Sequence, residues 1–148
     1  RHFTITLKMN DFKKEKYLVN LIEDYLKRIN KYHKIEIIEL NDSNDLQKES
    51  VDILKHINNQ DYVIALDIDG EIIDSVSLAK KIDQTFLTNS TITFIIGSSF
   101  GLHPDIKKRA NYRLSFSKMT FPHGLFRGIL LEQIYRSFKI LNNETYHK

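Results

Sequence analysis

The chain contains no cysteine, which excludes a disulfide framework and every thiolate-held zinc site and fits a reducing compartment, with the cytoplasm as the default. It has no apolar run approaching the roughly 18 residues that a membrane span requires, and its first residues form no signal-peptide hydrophobic segment. No His-x-x-x-His pair or mixed histidine and carboxylate cluster has the spacing of a metal site, so no metal is expected. Repeats, low-complexity tracts and linkers are also missing. Neither sign of charge dominates: 22 basic against 19 acidic residues leave a net charge of only +3. The resulting isoelectric point of about 9.0 permits a polyanionic partner without demanding one. What is present is 148 residues, 41% apolar and 28% charged, enough to bury a core and fold as a single domain over residues 1–148.

The basic residues are unevenly spread. Lys13, Lys14, Lys16, Lys27, Arg28, Lys31 and Lys34 crowd the first quarter, as solvated helix faces commonly do, while Lys107, Lys108, Arg109, Arg113 and Lys118 gather near the last third. Strand and helix patterns alternate along the chain. Residues 3–7 and 35–40 read as strands, residues 13–29 as a helix with Tyr17, Leu18, Leu21, Ile22, Tyr25, Leu26 and Ile29 on one stripe, and residues 45–57 as a second helix. Tyr62 to Leu66 is a short apolar run, as in a strand buried on both faces, which Asp67-Ile-Asp-Gly70 is expected to close. Residues 75–86 read as helix and 91–96 as the clearest strand, rich in β-branched side chains. A helix follows from Pro104, whose fixed φ suits a first helical position, then a strand over 112–116 and a long terminal helix. This β-α order predicts an α/β fold with a mostly parallel sheet and helices on both faces.

The terminal helix carries two apolar stripes, Leu130, Leu131, Ile134, Tyr135, Phe138 and Leu141 on one and Leu125, Phe126, Ile129 and Ile140 on the other. One stripe can cover the sheet; the second calls for another partner, most simply a second copy of the chain in a homodimer. Glu132 and Arg136, four residues apart on the polar strip between the stripes, form an ion pair that faces solvent or a ligand.

Among the motifs, Val63-Ile-Ala-Leu-Asp-Ile-Asp-Gly70 resembles the phosphatase motif of the haloacid dehalogenase superfamily. Glu71, however, stands where that family has Thr or Val, and no downstream acidic pair follows; turn and cap roles for Asp67 and Asp69 account for the segment better. Gly97-Ser-Ser-Phe-Gly101 lies after a strand and before a helix, where backbone can approach a ligand at the carboxyl end of a parallel strand. It has neither a Walker ending nor a dinucleotide-binding spacing. His33, His56 and His103 fall in helix-edge or loop contexts and read as surface residues; His123 opens the terminal helix in a cap or core-edge role. Tyr146-His147-Lys148 is either a frayed end or a functional tail.

Taken together, Leu66-Asp-Ile-Asp-Gly, Ile96-Gly-Ser-Ser-Phe-Gly-Leu, Leu114-Ser-Phe-Ser-Lys-Met-Thr-Phe-Pro-His, Leu131-Glu-Gln-Ile-Tyr-Arg and Tyr146-His-Lys resemble the SPOUT, or trefoil-knot, RNA methyltransferases. The nearest branch is the large-subunit ribosomal RNA pseudouridine-N3 methyltransferases. The resemblance implies a C-terminal trefoil knot, which periodicity cannot reveal. It implies S-adenosylmethionine bordered by Leu66, Gly97, Phe116, Ser117, Lys118, Met119, Thr120 and Phe121. It also implies a homodimer in which Tyr146 and His147 of one protomer reach the site of the other, with Glu132 and Arg136 on the substrate side. The implied reaction is methyl transfer to N3 of a pseudouridine in 23S ribosomal RNA, with the RNA inside the assembled ribosome. In it His147 is suited to take the N3 proton and Arg136 to stabilise the resulting anion.

The sequence also departs from that family's usual pattern at Lys8-Met9-Asn10, at Ser98, at Gly124 and over Asn143-Glu-Thr145. A diverged paralogue, a knotted dimer that binds RNA or ribosomes with weak, redirected or no methyl transfer, is the alternative those departures imply.

Overall fold

The computed structural model describes residues 2–9, 16–41, 45–97 and 102–147. The elements run β1 (His2–Met9), α1 (Lys16–Ile29), β2 (Lys34–Asn41), α2 (Leu46–Lys55), β3 (Tyr62–Ile72), α3 (Ser75–Thr88), β4 (Thr91–Ile96), α4 (Pro104–Arg109), β5 (Tyr112–Ser115) and α5 (His123–Leu141). Five strands form one sheet in the order β2-β1-β4-β3-β5, and every neighbouring pair is parallel.

Alternation along the strands divides the core in two, because successive side chains point to opposite faces. On one face Ile64, Leu66, Ile92, Phe94, Ile96 and Leu114 pack against α1, α3 and α5. On the other, Val63 and Ile95 meet Ile53 of α2 and Ile106 of α4. Helices therefore cover both faces, and the central strands carry continuous apolar runs, as the sequence predicts.

Local chemistry sets the element ends. Asp45 caps α2 by accepting from the Gln47 N–H at 2.9 Å, and Asp74 caps α3 by accepting from the Ser77 N–H at 2.7 Å. Pro104 opens α4 behind His103, whose Nδ1 accepts from the Asp105 N–H at 3.0 Å. Arg109 then ties the end of α4 to the carbonyl oxygens of Asn58 and Asp61, at 3.0 and 3.1 Å. Of the second basic group, this residue therefore serves the loop beneath it.

The structure differs from the sequence expectation in four places. First, β3 does not close at Asp67. It continues to Ile72, and both Leu66 and Glu71 lie opposite Leu114 of β5, so residues 67–70 form a bulge within the strand. Gly70 is essential there: a Cβ at this position would lie 2.7 Å from the backbone carbonyl carbon and oxygen of Arg113. Second, Tyr17 is 65% exposed, leaving Leu18, Ile22 and Ile29 as the buried stripe of α1. Third, His33 is half-buried, its ring lying between Phe86 and Phe138 with centroids 5.6 and 4.6 Å away. Fourth, α2 ends at Lys55, two residues before the expected boundary at Ile57. Residues 13–15 of the expected first helix lie outside the described residues.

The terminal helix buries Leu130, Leu131, Ile134, Tyr135 and Phe138 in the core. Its second stripe is less covered: Leu125 is exposed and Phe126, Ile129 and Ile140 are half-buried. Among the described residues, no helix is long and apolar enough to cross a membrane.

Candidate active site

Parallel strands β3, β4 and β5 bring together Leu66, where β3 enters its bulge, Gly97, just after β4, and Ser115, the last residue of β5, on the side of the sheet where open α/β sheets bind ligands. A cavity of about 520 Å³ opens there. Leu66, Ile96, Leu102 and Leu114 form apolar walls, and the loop after β5 closes it with Phe116, Ser117, Met119, Thr120 and Phe121. Of the cofactor-site residues expected from sequence, all but Lys118 line this space; Lys118 is exposed and is not among the lining side chains. Ser98 to Gly101 of the glycine-containing loop lie outside the described residues, as does the side chain of His123.

The loop is held by its own hydroxyls. Ser115 Oγ donates to the Ser117 carbonyl at 3.0 Å, and the Met119 N–H donates to Ser117 Oγ at 3.0 Å. Phe126 of α5 backs it, with ring centroids 5.2 Å from Phe116 and 6.2 Å from Phe121. Phe126 and Asp67 also line the cavity and were missed from sequence. In sequence, periodicity places Phe126 in an apolar stripe, and Asp67 fits a turn or cap better than a phosphatase motif; neither pattern points to this cavity.

Asp67 is buried, and one carboxylate oxygen receives Arg113 at 3.2 Å and lies 3.7 Å from Lys107. The other oxygen accepts from the Asp69 N–H at 3.1 Å. A carboxylate engaged in this way braces the bulge and two basic side chains. It is not the free nucleophile that the phosphatase reading requires.

A second cavity of about 490 Å³ shares Leu114, Phe116 and Phe121 with the first. Its far side carries Asp74, Ser75, Gln133 and His147. Ser75 Oγ donates to Gln133 Oε1 at 2.7 Å, fixing the start of α3 to α5.

His147 belongs here because the chain reverses after α5. Asn143 adopts a left-handed φ of 54°; its N–H bonds the Ile140 carbonyl at 3.1 Å and the Glu144 N–H bonds the Lys139 carbonyl at 2.9 Å. This pair of bonds is the Schellman termination, with Asn in the position usually given to Gly. The tail then runs back along α5. Tyr146 Oη donates to Glu132 Oε1 at 3.2 Å, and its ring meets Tyr135 edge-on at 5.0 Å. Arg136 donates through Nε to Glu132 Oε1 at 2.8 Å, stacks over Tyr146 at 4.8 Å and reaches His147 Nδ1 through Nη1 at 3.0 Å. Glu132 and Arg136, expected on the substrate side, and Tyr146 and His147, expected to reach the site of a second protomer, are thus one connected cluster within a single chain.

This geometry fixes proton positions. A guanidinium has no acceptor, so the His147 nitrogen facing Arg136 presents its lone pair, and a proton on the ring resides on Nε2. The hydrogen bond to Glu132 raises the Arg136 pKa, keeping it cationic. Burial, with the Tyr25 hydroxyl and the Glu132 carboxylate beside it, pushes the Tyr146 phenol well above its ordinary range, so it remains a donor. Together the four residues offer hydrogen bonds and positive charge to an anionic or carbonyl-bearing ligand.

Comparison with known proteins identifies the family. A family model described as "Predicted SPOUT methyltransferase" matches residues 3–147. A putative ribosomal RNA large subunit methyltransferase H of Methanococcus maripaludis is 51% identical, over 91% of this chain and 93% of its own. The ribosomal RNA large subunit methyltransferase H of Clostridium botulinum strain 657 is 50% identical with the same coverage. A solved A. aeolicus TrmH/SpoU tRNA modifying enzyme shares the fold, with a TM-score of 0.50 and 13% identity over 95% of this chain and 77% of that one. The chain therefore belongs to the SPOUT methyltransferases, the S-adenosylmethionine-dependent family that its C-terminal motifs resemble.

Proposed function

We propose that the chain methylates N3 of a pseudouridine in 23S ribosomal RNA, acting in the cytoplasm as a homodimer of single-domain protomers on the assembled ribosome. The observation that carries this reading is the docking of Tyr146 and His147 onto Glu132 and Arg136, with His147 lining a cavity that shares two phenylalanines with the first. The two relatives' names, both ribosomal RNA large subunit methyltransferase H, support the RNA substrate.

The residues of the first cavity suit the methyl donor. Its volume is in the range of small-molecule sites, its walls are apolar and its loop offers backbone polar groups to a nucleoside. The bound cofactor supplies an already activated methyl group. Leu66, Gly97, Phe116, Ser117, Met119, Thr120 and Phe121 would enclose it and exclude water, with Lys118 reaching its outer edge.

On the substrate side, Arg136 supplies donors to the carbonyl oxygens beside N3, whose charge grows as the N3 proton leaves, while the Tyr146 hydroxyl keeps donating to Glu132. His147 supplies Nε2–H while Arg136 occupies Nδ1. When Arg136 turns from His147 to the developing anion, the Nδ1 lone pair is released and can accept the proton. Glu132 holds Arg136 and Tyr146 through both states. The less covered stripe of α5, with Leu125 exposed and Phe126 and Ile129 half-buried, supports a homodimer, in which the tail, docked on its own α5, would be carried to the cofactor cavity of the other protomer.

The test uses isotopically methyl-labelled S-adenosylmethionine with ribosomes that carry, or lack, pseudouridine in the 23S RNA. Label at pseudouridine N3 is expected with the first and none with the second. Cofactor binding without label transfer would favour the diverged paralogue that binds RNA. No cofactor binding would remove the first cavity from the mechanism.

A further inference from the structure

We propose that Glu144 is a positioning residue, a carboxylate clasp that sets the register in which Tyr146 and His147 land on α5. One Glu144 oxygen receives Lys139 Nζ at 2.7 Å and the other receives the Tyr32 hydroxyl at 2.9 Å. The clasp therefore joins the tail to α5 and to the turn after α1. The Lys139 ammonium is fixed in its own right, lying 5.8 and 5.5 Å from the ring centroids of Tyr32 and Tyr135. Glu144 is also the residue whose N–H completes the Schellman bond to Lys139, so the same residue is held by main chain and side chain.

The geometry downstream follows from this double anchor. Along one face of α5, Lys139, Arg136 and Glu132 succeed each other at three- and four-residue steps, and the tail contacts all three. Glu144 takes Lys139, His147 takes Arg136, and Tyr146 spans Arg136 to Glu132. Moving the tail along the helix by one step would place His147 opposite a different side chain. The clasp is half exposed, with Lys139 and Glu144 side chains 19% and 39% accessible. An ion pair in that setting contributes little to global stability, so its effect is on where the tail lies.

This inference rests on the methyl-transfer reading, so its test includes a measurement independent of activity. Three variants are compared with the parent: Glu144→Lys, Lys139→Glu, and the two combined. In Glu144→Lys, turnover on ribosomes is expected to fall on the order of tenfold to a hundredfold, as misplacement of a reacting group does. KM for the cofactor and the thermal midpoint should stay unchanged. The combined charge swap should restore most of the turnover. The independent readout is the nuclear Overhauser contact between the Tyr146 and Tyr135 rings, expected to be lost in Glu144→Lys and regained in the swap. Asn143→Gly, which accepts a positive φ, should retain the contact, whereas Asn143→Val should lose it.

Full turnover and an intact ring contact in Glu144→Lys would overturn the proposal. So would a parallel fall in thermal midpoint, cofactor affinity and turnover that the swap does not repair, since that pattern marks a purely structural role. If the parent transfers no methyl group yet the ring contact follows the charge pattern, the clasp stands and the functional reading fails.

Discussion

Gly70 stands where the β3 bulge crosses the backbone of Arg113, and the 2.7 Å approach of a hypothetical Cβ leaves nothing flexible to yield. Gly70→Ala is expected to destabilise the fold by about 1–3 kcal/mol, the usual cost of overpacking, read as a lower urea midpoint with an unchanged slope. Tyr146→Phe keeps the edge-on contact with Tyr135 but deletes the hydroxyl bond to Glu132. Its turnover should fall while its cofactor affinity, measured by calorimetry, stays the same. Acid should act on the tail through Glu144, whose pKa is lowered first by Lys139 and then by Tyr32. A depressed folded-state pKa stabilises the docked tail above the ordinary carboxylate value, and that contribution is lost as pH falls through the folded value. The Tyr146 ring signals should therefore hold their docked positions at neutral pH and move toward free positions only as pH falls below the ordinary carboxylate range. At this scale the chemistry of Glu132, Arg136, Tyr146 and His147 was legible in residue type and spacing. Their assembly was not, because it depends on one left-handed Asn143 and on Glu144, neither of which belongs to the motifs.

The terminal helix serves both the core and the candidate site. Leu131 is 1% exposed, and Leu131→Ala should cost about 2–5 kcal/mol, measured by chemical unfolding, as other cavity-forming substitutions in well-packed cores do. The opposite stripe tests assembly instead. Phe126→Glu or Ile129→Glu should turn a sedimenting dimer into monomers or aggregates, because an unpaired charge in an apolar interface costs several kcal/mol. A monomeric parent at micromolar concentration would remove the interface altogether. Strand β4 and helix α4 were readable as elements because β-branched residues and a Pro-initiated turn give strong local signals. The continuation of β3 was not, since Asp-x-Asp-Gly is also a turn sequence and only the neighbouring strand shows that its glycine is required for close approach. The uncovered stripe of α5 was anticipated from its periodicity, whereas the place of Phe126 in the cofactor cavity depends on the loop it backs.

In the whole molecule, the order of elements and the coverage of both sheet faces follow from patterning, while threading does not. Strand order and amphipathy are the same for a threaded and an unthreaded chain, so the trefoil knot came from family resemblance alone. The proposed exchange of tails makes its own demand on the assembly. A chain truncated after Thr145, mixed with a Gly97→Val chain, should recover methyl transfer in purified mixed dimers, since one site then combines an intact tail with an intact loop. No recovery would confine each tail to its own protomer. The all-parallel sheet also bears on how the protein reaches its native state. No two neighbouring strands can be joined by a hairpin. The first strand, residues 2–7, finds one of its neighbours only at residues 91–96, after most of the chain has been made. Such distant pairing closes long loops before it gains contacts, so refolding from urea should be slow for a chain of this size, with formation of the β1–β4 pair as a late event in pulse-labelled hydrogen exchange.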